Sequence, residues 1–116
     1  MRSIGSFDLI FIHRGYVDMR KSITGLSIIV SEEMHLDLKS NSLFIFCNKP
    51  RTRLKVLYFD HSGFALWYKR LEASKFSWPR GLDKEVVKVT AKDLELLLSG
   101  INIWTRFEKI NFEYVV

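Results

Sequence analysis

No apolar run in this sequence is longer than a β-strand. Leu9-Ile10-Phe11-Ile12 is continuous rather than alternating, the pattern of a strand covered on both faces. Leu43-Phe44-Ile45-Phe46-Cys47 is a second such run and reads as a buried strand. Between them Met19, Ile23, Leu26, Val30 and Met34 recur at spacings of 4, 3, 4 and 4, one face of a helix. Strand-length runs combined with helical stripes predict an α+β fold, a small, mostly antiparallel sheet with two or three helices packed on it. At 116 residues the expectation is one domain over residues 1–116, large enough for its own core. A membrane-spanning helix needs about 20 apolar residues, and no run approaches that.

The punctuation supports the same layout. Phe7 to His13 reads as the first strand, bounded by Gly5 and Gly15. Asp18 reads as the N-cap of the first helix, which fades near Leu36. Gly25 inside it costs about 1 kcal/mol against Ala and so hints at close packing. Asp37 to Ser42 is turn-like. Leu43–Cys47, the turn Asn48–Thr52 and Leu54–Phe59 predict an antiparallel hairpin. Asp60–Gly63 is another turn.

The stretch 64–73 admits two readings. Phe64, Trp67, Tyr68 and Leu71 fit i, i+3, i+4, i+7, which favours a helix. Read as a strand, Phe64, Leu66 and Tyr68 would share a face with Arg70. Lys75–Pro79 reads as a short extended piece stopped by Pro79 and Gly81. Glu85–Val89 reads as a strand. Thr90 with Asp93 resembles a capping box opening a helix with Leu94, Leu97 and Leu98 on its apolar face, and Gly100 is its stop. The tail carries Phe107, Ile110, Phe112 and Tyr114 and is expected to dock.

Charge is unevenly spread. The whole chain carries +5. Residues 1–48 hold five basic and five acidic side chains, and residues 81–116 hold five and six. Residues 49–80 hold eight basic against two acidic, a net +6. That block also contains Tyr58, Phe59, Phe64, Trp67, Tyr68, Phe76 and Trp78. Cations interleaved with aromatics suit nucleic acid, since cations neutralise phosphate and rings can stack. The plainer reading makes the aromatics core and the cations a solvated face. In an extended segment Arg51, Arg53 and Lys55 would form a row with Lys49 nearby.

Motifs of catalysis are sparse. One cysteine, Cys47, makes neither an internal disulfide nor a multi-thiolate zinc site, and a reduced, cytoplasmic setting is the expectation. His13, His35 and His61 lack close-spaced ligand partners. There is no GxSxG, Walker or glycine-rich phosphate motif. Asp60 and Glu72 would serve a metal-dependent nuclease only if they converged. No cofactor is implied.

Several words in the chain have a familiar order. They are Val17-Asp18-Met19-Arg20-Lys21 with Gly25-Leu26, then Leu43-Phe44-Ile45-Phe46, then the block Lys49–Asp60. Gly63-Phe64, Tyr68-Lys69-Arg70-Leu71-Glu72, Lys75-Phe76 and Trp78-Pro79 follow. In order and spacing these resemble the small TnpB accessory protein of the IS-sixty-six insertion sequences, which is unrelated to the RNA-guided nucleases of that name. The resemblance covers about Gly15 to Ile101. Departures lie mostly in loops. Asp37-Leu38-Lys39-Ser40-Asn41 stands where the family has Asp-Pro-Phe-Ser-Gly. Phe59 stands for a tryptophan, Asp60-His61-Ser62-Gly63 for Asp-Gly-Asp-Gly, and Ser74 for a glycine.

The resemblance implies a non-catalytic accessory factor of transposition, working beside a separate transposase. Combined with the charge map, it predicts DNA binding through Lys49, Arg51, Arg53 and Lys55. Lys69, Arg70 and Lys75 would flank them, and Arg20 and Lys21 would join from the first helix. The alternative is a module that docks on the transposase, which exposed Trp67, Trp78 or Trp104 would favour. No membrane partner is expected.

Overall fold

The computed structural model describes residues 2–79 and 85–104. The docking expected of Phe107, Ile110, Phe112 and Tyr114, and the stop at Gly81, lie outside the described residues. Five strands form one sheet. They are β1 Leu9–His13, β2 Ser42–Cys47, β3 Arg53–Asp60, β4 Gly63–Arg70 and β5 Val86–Val89, in the order β4-β3-β2-β1-β5. Helix α1 Ile23–Ile28 connects β1 to β2, which pair in parallel with Leu9 beside Ser42. Every other pairing is antiparallel. The α+β expectation of a mostly antiparallel sheet holds.

Both faces of the sheet are covered, which explains the continuous apolar runs. Leu43, Ile45 and Cys47 face α2 Ala91–Leu98, together with Phe76, Trp78, Ile103 and Trp104. Phe44 and Phe46 face the opposite layer, built by Leu26, Ile29, Val30 and Met34. All six residues of β2 are buried, as a central strand between two layers requires.

The first helix starts later than its stripe suggests. Asp18 does not cap it. Its carboxylate accepts hydrogen bonds from the Arg20 backbone and guanidinium instead, holding a turn. Helix α1 begins at Ile23 and widens into a π-helical stretch, Ile29–Glu33, where the Met34 N–H reaches back to the Ile29 carbonyl at 3.0 Å. The stripe itself is correct, because Leu26, Val30 and Met34 are buried with Met19 and Ile23 packed against them. Close packing at Gly25 is real and local. A Cβ there would lie 3.3 Å from the Lys21 side chain.

The stretch from Phe64 is a strand, not a helix. The hairpin decides it: Asp60 pairs with Gly63 across a two-residue loop, and the register runs unbroken to Arg53 beside Arg70. Period two then places Phe64 and Leu66 on the α1 layer and Ala65 and Trp67 on the α2 layer. Phe64 to Trp67 all pack on one core or the other and only Tyr68 stays exposed, so the helical spacing is a coincidence of a run apolar on both faces.

Helix α2 matches expectation residue by residue. The Asp93 N–H donates to the Thr90 hydroxyl at 3.1 Å, and the Thr90 N–H donates to the Asp93 carboxylate at 3.1 Å. Gly100 follows at φ +85°, the left-handed position that a glycine takes without strain. Thr90→Ala removes the hydroxyl that accepts from the Asp93 N–H, at a cap where Asp93 is buried and Thr90 exposed. The expected loss is about 1 kcal/mol of stability, read by urea denaturation with an unchanged slope.

Candidate nucleic-acid interface

The 48–52 turn joins β2 to β3, and Asn48 builds it. Its side-chain carbonyl accepts from the Thr52 N–H at 2.9 Å and the Arg53 N–H at 3.0 Å, while the Arg51 N–H donates to the Asn48 backbone carbonyl at 3.0 Å. Arg51 sits at φ +63°, a left-handed conformation held by these bonds. The segment after β4 braces the turn from the side. The Leu71 N–H donates to the Thr52 carbonyl at 2.8 Å, and the Phe76 N–H to the Arg51 carbonyl at 2.7 Å. The turn is therefore tied down by backbone bonds, with Lys49 and Arg53 exposed and Arg51 half-buried.

A second loop faces it. The Val17 N–H donates to the Cys47 carbonyl at 2.9 Å, so the 17–21 loop starts beside the turn. Lys55 then pins the loop from below. Its ammonium donates to the Met19 and Lys21 carbonyls at 2.7 and 2.8 Å. Between loop and turn lies an open cleft of about 400 Å³, walled by Asp18, Arg20, Lys49, Pro50 and Arg53 among others.

The nine expected cations therefore divide. Arg20, Lys49 and Arg53 line the cleft. Arg51 stands on the turn, and Lys75 is exposed beside the bond that braces it. Arg70 is register partner to Arg53 and pairs with Glu72 at 2.9 Å. Lys21 is exposed on the loop. Lys55 and Lys69 have structural work. Lys69 reaches the other face and donates to the Leu98 carbonyl at the end of α2 at 3.0 Å, where the helix dipole favours a cation. The row Arg51–Arg53–Lys55 is broken, because Arg51 lies in the turn rather than on the strand.

Asp18 is the residue that charge counting missed. It holds Arg20 with an N–O distance of 2.6 Å, and that hydrogen-bonded guanidinium draws the carboxyl down to about 2. The depressed value means the pair favours the folded state above the usual carboxylate pKa of 3.8 and is lost as pH falls through 2. At neutral pH half of the Arg20–Asp18 couple is thus an acid on the cleft wall.

The rival sites do not assemble. Asp60 lies at the hairpin end of β4 and Glu72 beyond its other end, about 25 Å apart along the strand. They cannot clamp one metal ion, which removes the nuclease reading of this pair. Cys47 is fully buried, and burial pushes its thiol up to about 12, so it is no nucleophile at neutral pH. His61 is exposed, as a turn residue should be. Among the described residues no group of three histidine, cysteine or carboxylate side chains could hold a metal ion. No helix among them is long and apolar enough to cross a membrane.

Comparison with known proteins gives this sheet and its basic turn a family. The sequence model of one described as IS66 Orf2 like protein matches residues 8–108. The chain belongs to that family. Two relatives from Sinorhizobium fredii, the uncharacterized proteins y4hO and y4jC, are each 32% identical to it over 93 residues. The match covers 80% of this chain and 80% and 78% of theirs. No solved structure matches. Membership in the IS66 Orf2-like family assigns the chain an accessory role in insertion-sequence transposition. The family is not one of known enzymes.

Proposed function

We propose that this chain serves transposition by binding duplex DNA at the end of the sheet where the 48–52 turn meets the 17–21 loop. The observation that carries the reading is convergence: Arg20, Lys49 and Arg53 share one cleft, with Arg51, Lys21, Arg70 and Lys75 around it. Lys49, Arg51 and Arg53 contact phosphates from a turn already ordered, so little entropy is lost on binding. Lys55 and Lys69 act indirectly, by holding the loop and the end of α2. Phosphate contacts position without reading sequence, so binding is weak, nonspecific and salt-sensitive.

The test is a salt titration on duplex DNA. Four to six phosphate contacts correspond to a log–log slope of about −4 to −5. Absence of binding at low salt, or an affinity indifferent to salt, refutes the reading. Docking on the transposase would call for exposed tryptophans. Trp78 and Trp104 are buried and Trp67 half-buried, so that alternative gains no support from them.

Asp18 supplies a second check with the opposite sign. Asp18→Asn removes an acid from the cleft and frees the Arg20 guanidinium. Duplex affinity should rise by roughly threefold to tenfold at low salt, with a slope steeper by about 1. Because Asp18 titrates near 2, acidification from neutral to mildly acidic pH does not mimic the substitution. An Asp18→Asn protein that binds more weakly would show that the pair orders the loop rather than masking it.

A further inference from the structure

Among the described residues the outer edge of β4 is a long, unpaired template. In a two-residue hairpin the flanking residues exchange hydrogen bonds, so Gly63, Ala65, Trp67 and Lys69 point their backbone groups at β3. Phe64, Leu66, Tyr68 and Arg70 point theirs outward. The neighbouring bonds agree: Leu71 N–H turns inward to Thr52, and Arg53 N–H turns away from β4 to Asn48. Among the described residues no hydrogen bond reaches the four outward N–H groups.

Protein sheets normally blunt such an edge by shortening it, charging it or bulging it. The other edge, β5, is four residues long and carries Lys88. Edge β4 is eight residues long and paired without a bulge, and it holds no proline. Charge is confined to one end, at Lys69 and Arg70. Tyr68 is exposed, while Phe64, Leu66 and Trp67 are only half-buried.

We propose that this edge joins two copies of the chain, β4 against β4, in an antiparallel pair with Trp67 on the two-fold axis. Only outward residues can exchange bonds, so the allowed registers are few. One of them uses all four: Phe64 opposite Arg70 and Leu66 opposite Tyr68, each repeated by symmetry. Trp67 then faces its own copy, and the two five-stranded sheets become one. Charge selects the antiparallel sense. In the antiparallel pair the Lys69–Arg70 end of one copy lies beside the uncharged Gly63–Phe64 start of β4 in the other, and each Arg70 keeps its own Glu72. Parallel pairing would set Lys69 and Arg70 of both copies side by side. The register also sets Arg70, whose guanidinium is held by Glu72, across from Phe64 of the other copy.

Amide hydrogen exchange on the whole protein, followed residue by residue, tests this beside sedimentation equilibrium. A concentration-dependent dimer is expected. On going from dilute to concentrated solution, the Phe64, Leu66, Tyr68 and Arg70 amides should slow by about tenfold or more. Ala65, Trp67 and Lys69 should be protected in both. Tyr68→Pro deletes one outward N–H that no described group uses and should leave a folded monomer. If that variant unfolds, exchange in the unaltered chain still decides. A protein monomeric at every concentration, or a dimer whose four outward amides stay unprotected, overturns the proposal. So does a dimer unaffected by a folded Tyr68→Pro chain.

Discussion

Reversing Arg51 and Arg53 together, to glutamate, should cost on the order of a hundredfold in duplex DNA affinity at low salt. The size follows from counterion release. At about 0.05 M salt each phosphate contact contributes roughly fifteenfold, so two lost contacts forfeit about two hundredfold, before any repulsion from the new carboxylates. The salt slope should flatten by about 2 or more. Among the described residues neither guanidinium is committed to a hydrogen bond, because the bonds of the turn run through the Arg51 and Arg53 backbones. The fold should therefore survive. The control is Lys88→Glu with Lys92→Glu, two exposed cations on β5 and α2. It changes net charge by the same amount at a distance from the turn. Equal losses in both proteins would mean that net charge alone matters and that the turn has no special part.

The basic turn was legible in outline because charge density is a property of sequence. The concentration of cations between 49 and 80 needs no structure to be seen. What charge counting could not supply is the fate of each cation. Arg53 and Lys55 stand two residues apart on one strand and look alike in a sequence. Yet Lys55 is bound to the Met19 and Lys21 carbonyls, while Arg53 opens on the cleft. Those carbonyls belong to a segment more than thirty residues away, and no local pattern announces them. Asp18 misled for a related reason. An aspartate before an apolar stripe is an N-cap signal, but an arginine two residues on offers the carboxylate a bidentate partner within the turn. Asn48 carried a usable signal, since asparagine at the head of a Lys-Pro-containing turn is suited to bonding the backbone beyond it.

The strands were readable where tertiary structure and local pattern agreed. Glu85–Val89 and the Thr90 capping box needed only nearest neighbours. Phe64–Tyr68 did not, because five consecutive apolar residues satisfy a period of two and of 3.6 alike. Pairing with β3 broke the tie. The hairpin signal at Asp60–Gly63 was present beforehand, and extending it by symmetry around the turn would have favoured the strand.

The sheet's dependence on its central strand sets the largest expected stability loss. Phe44 is fully buried, and its ring stacks on Phe11 with centroids 6.0 Å apart, under the layer of Leu26 and Val30. Phe44→Ala empties that space between sheet and helix. A buried Phe→Ala change costs about 3–5 kcal/mol through lost transfer energy and the cavity left behind. A domain of this size has about 5–15 kcal/mol in total, so the variant approaches the threshold of folding. The melting temperature should fall by about 12–20 °C. Phe59→Ala, at a half-buried position on the neighbouring strand, should cost much less, because its ring already meets water on one side. The contrast tests the two-layer architecture itself. Were α1 only loosely laid on the sheet, the space left by Phe44 would collapse or fill with water, and the two substitutions would destabilise alike.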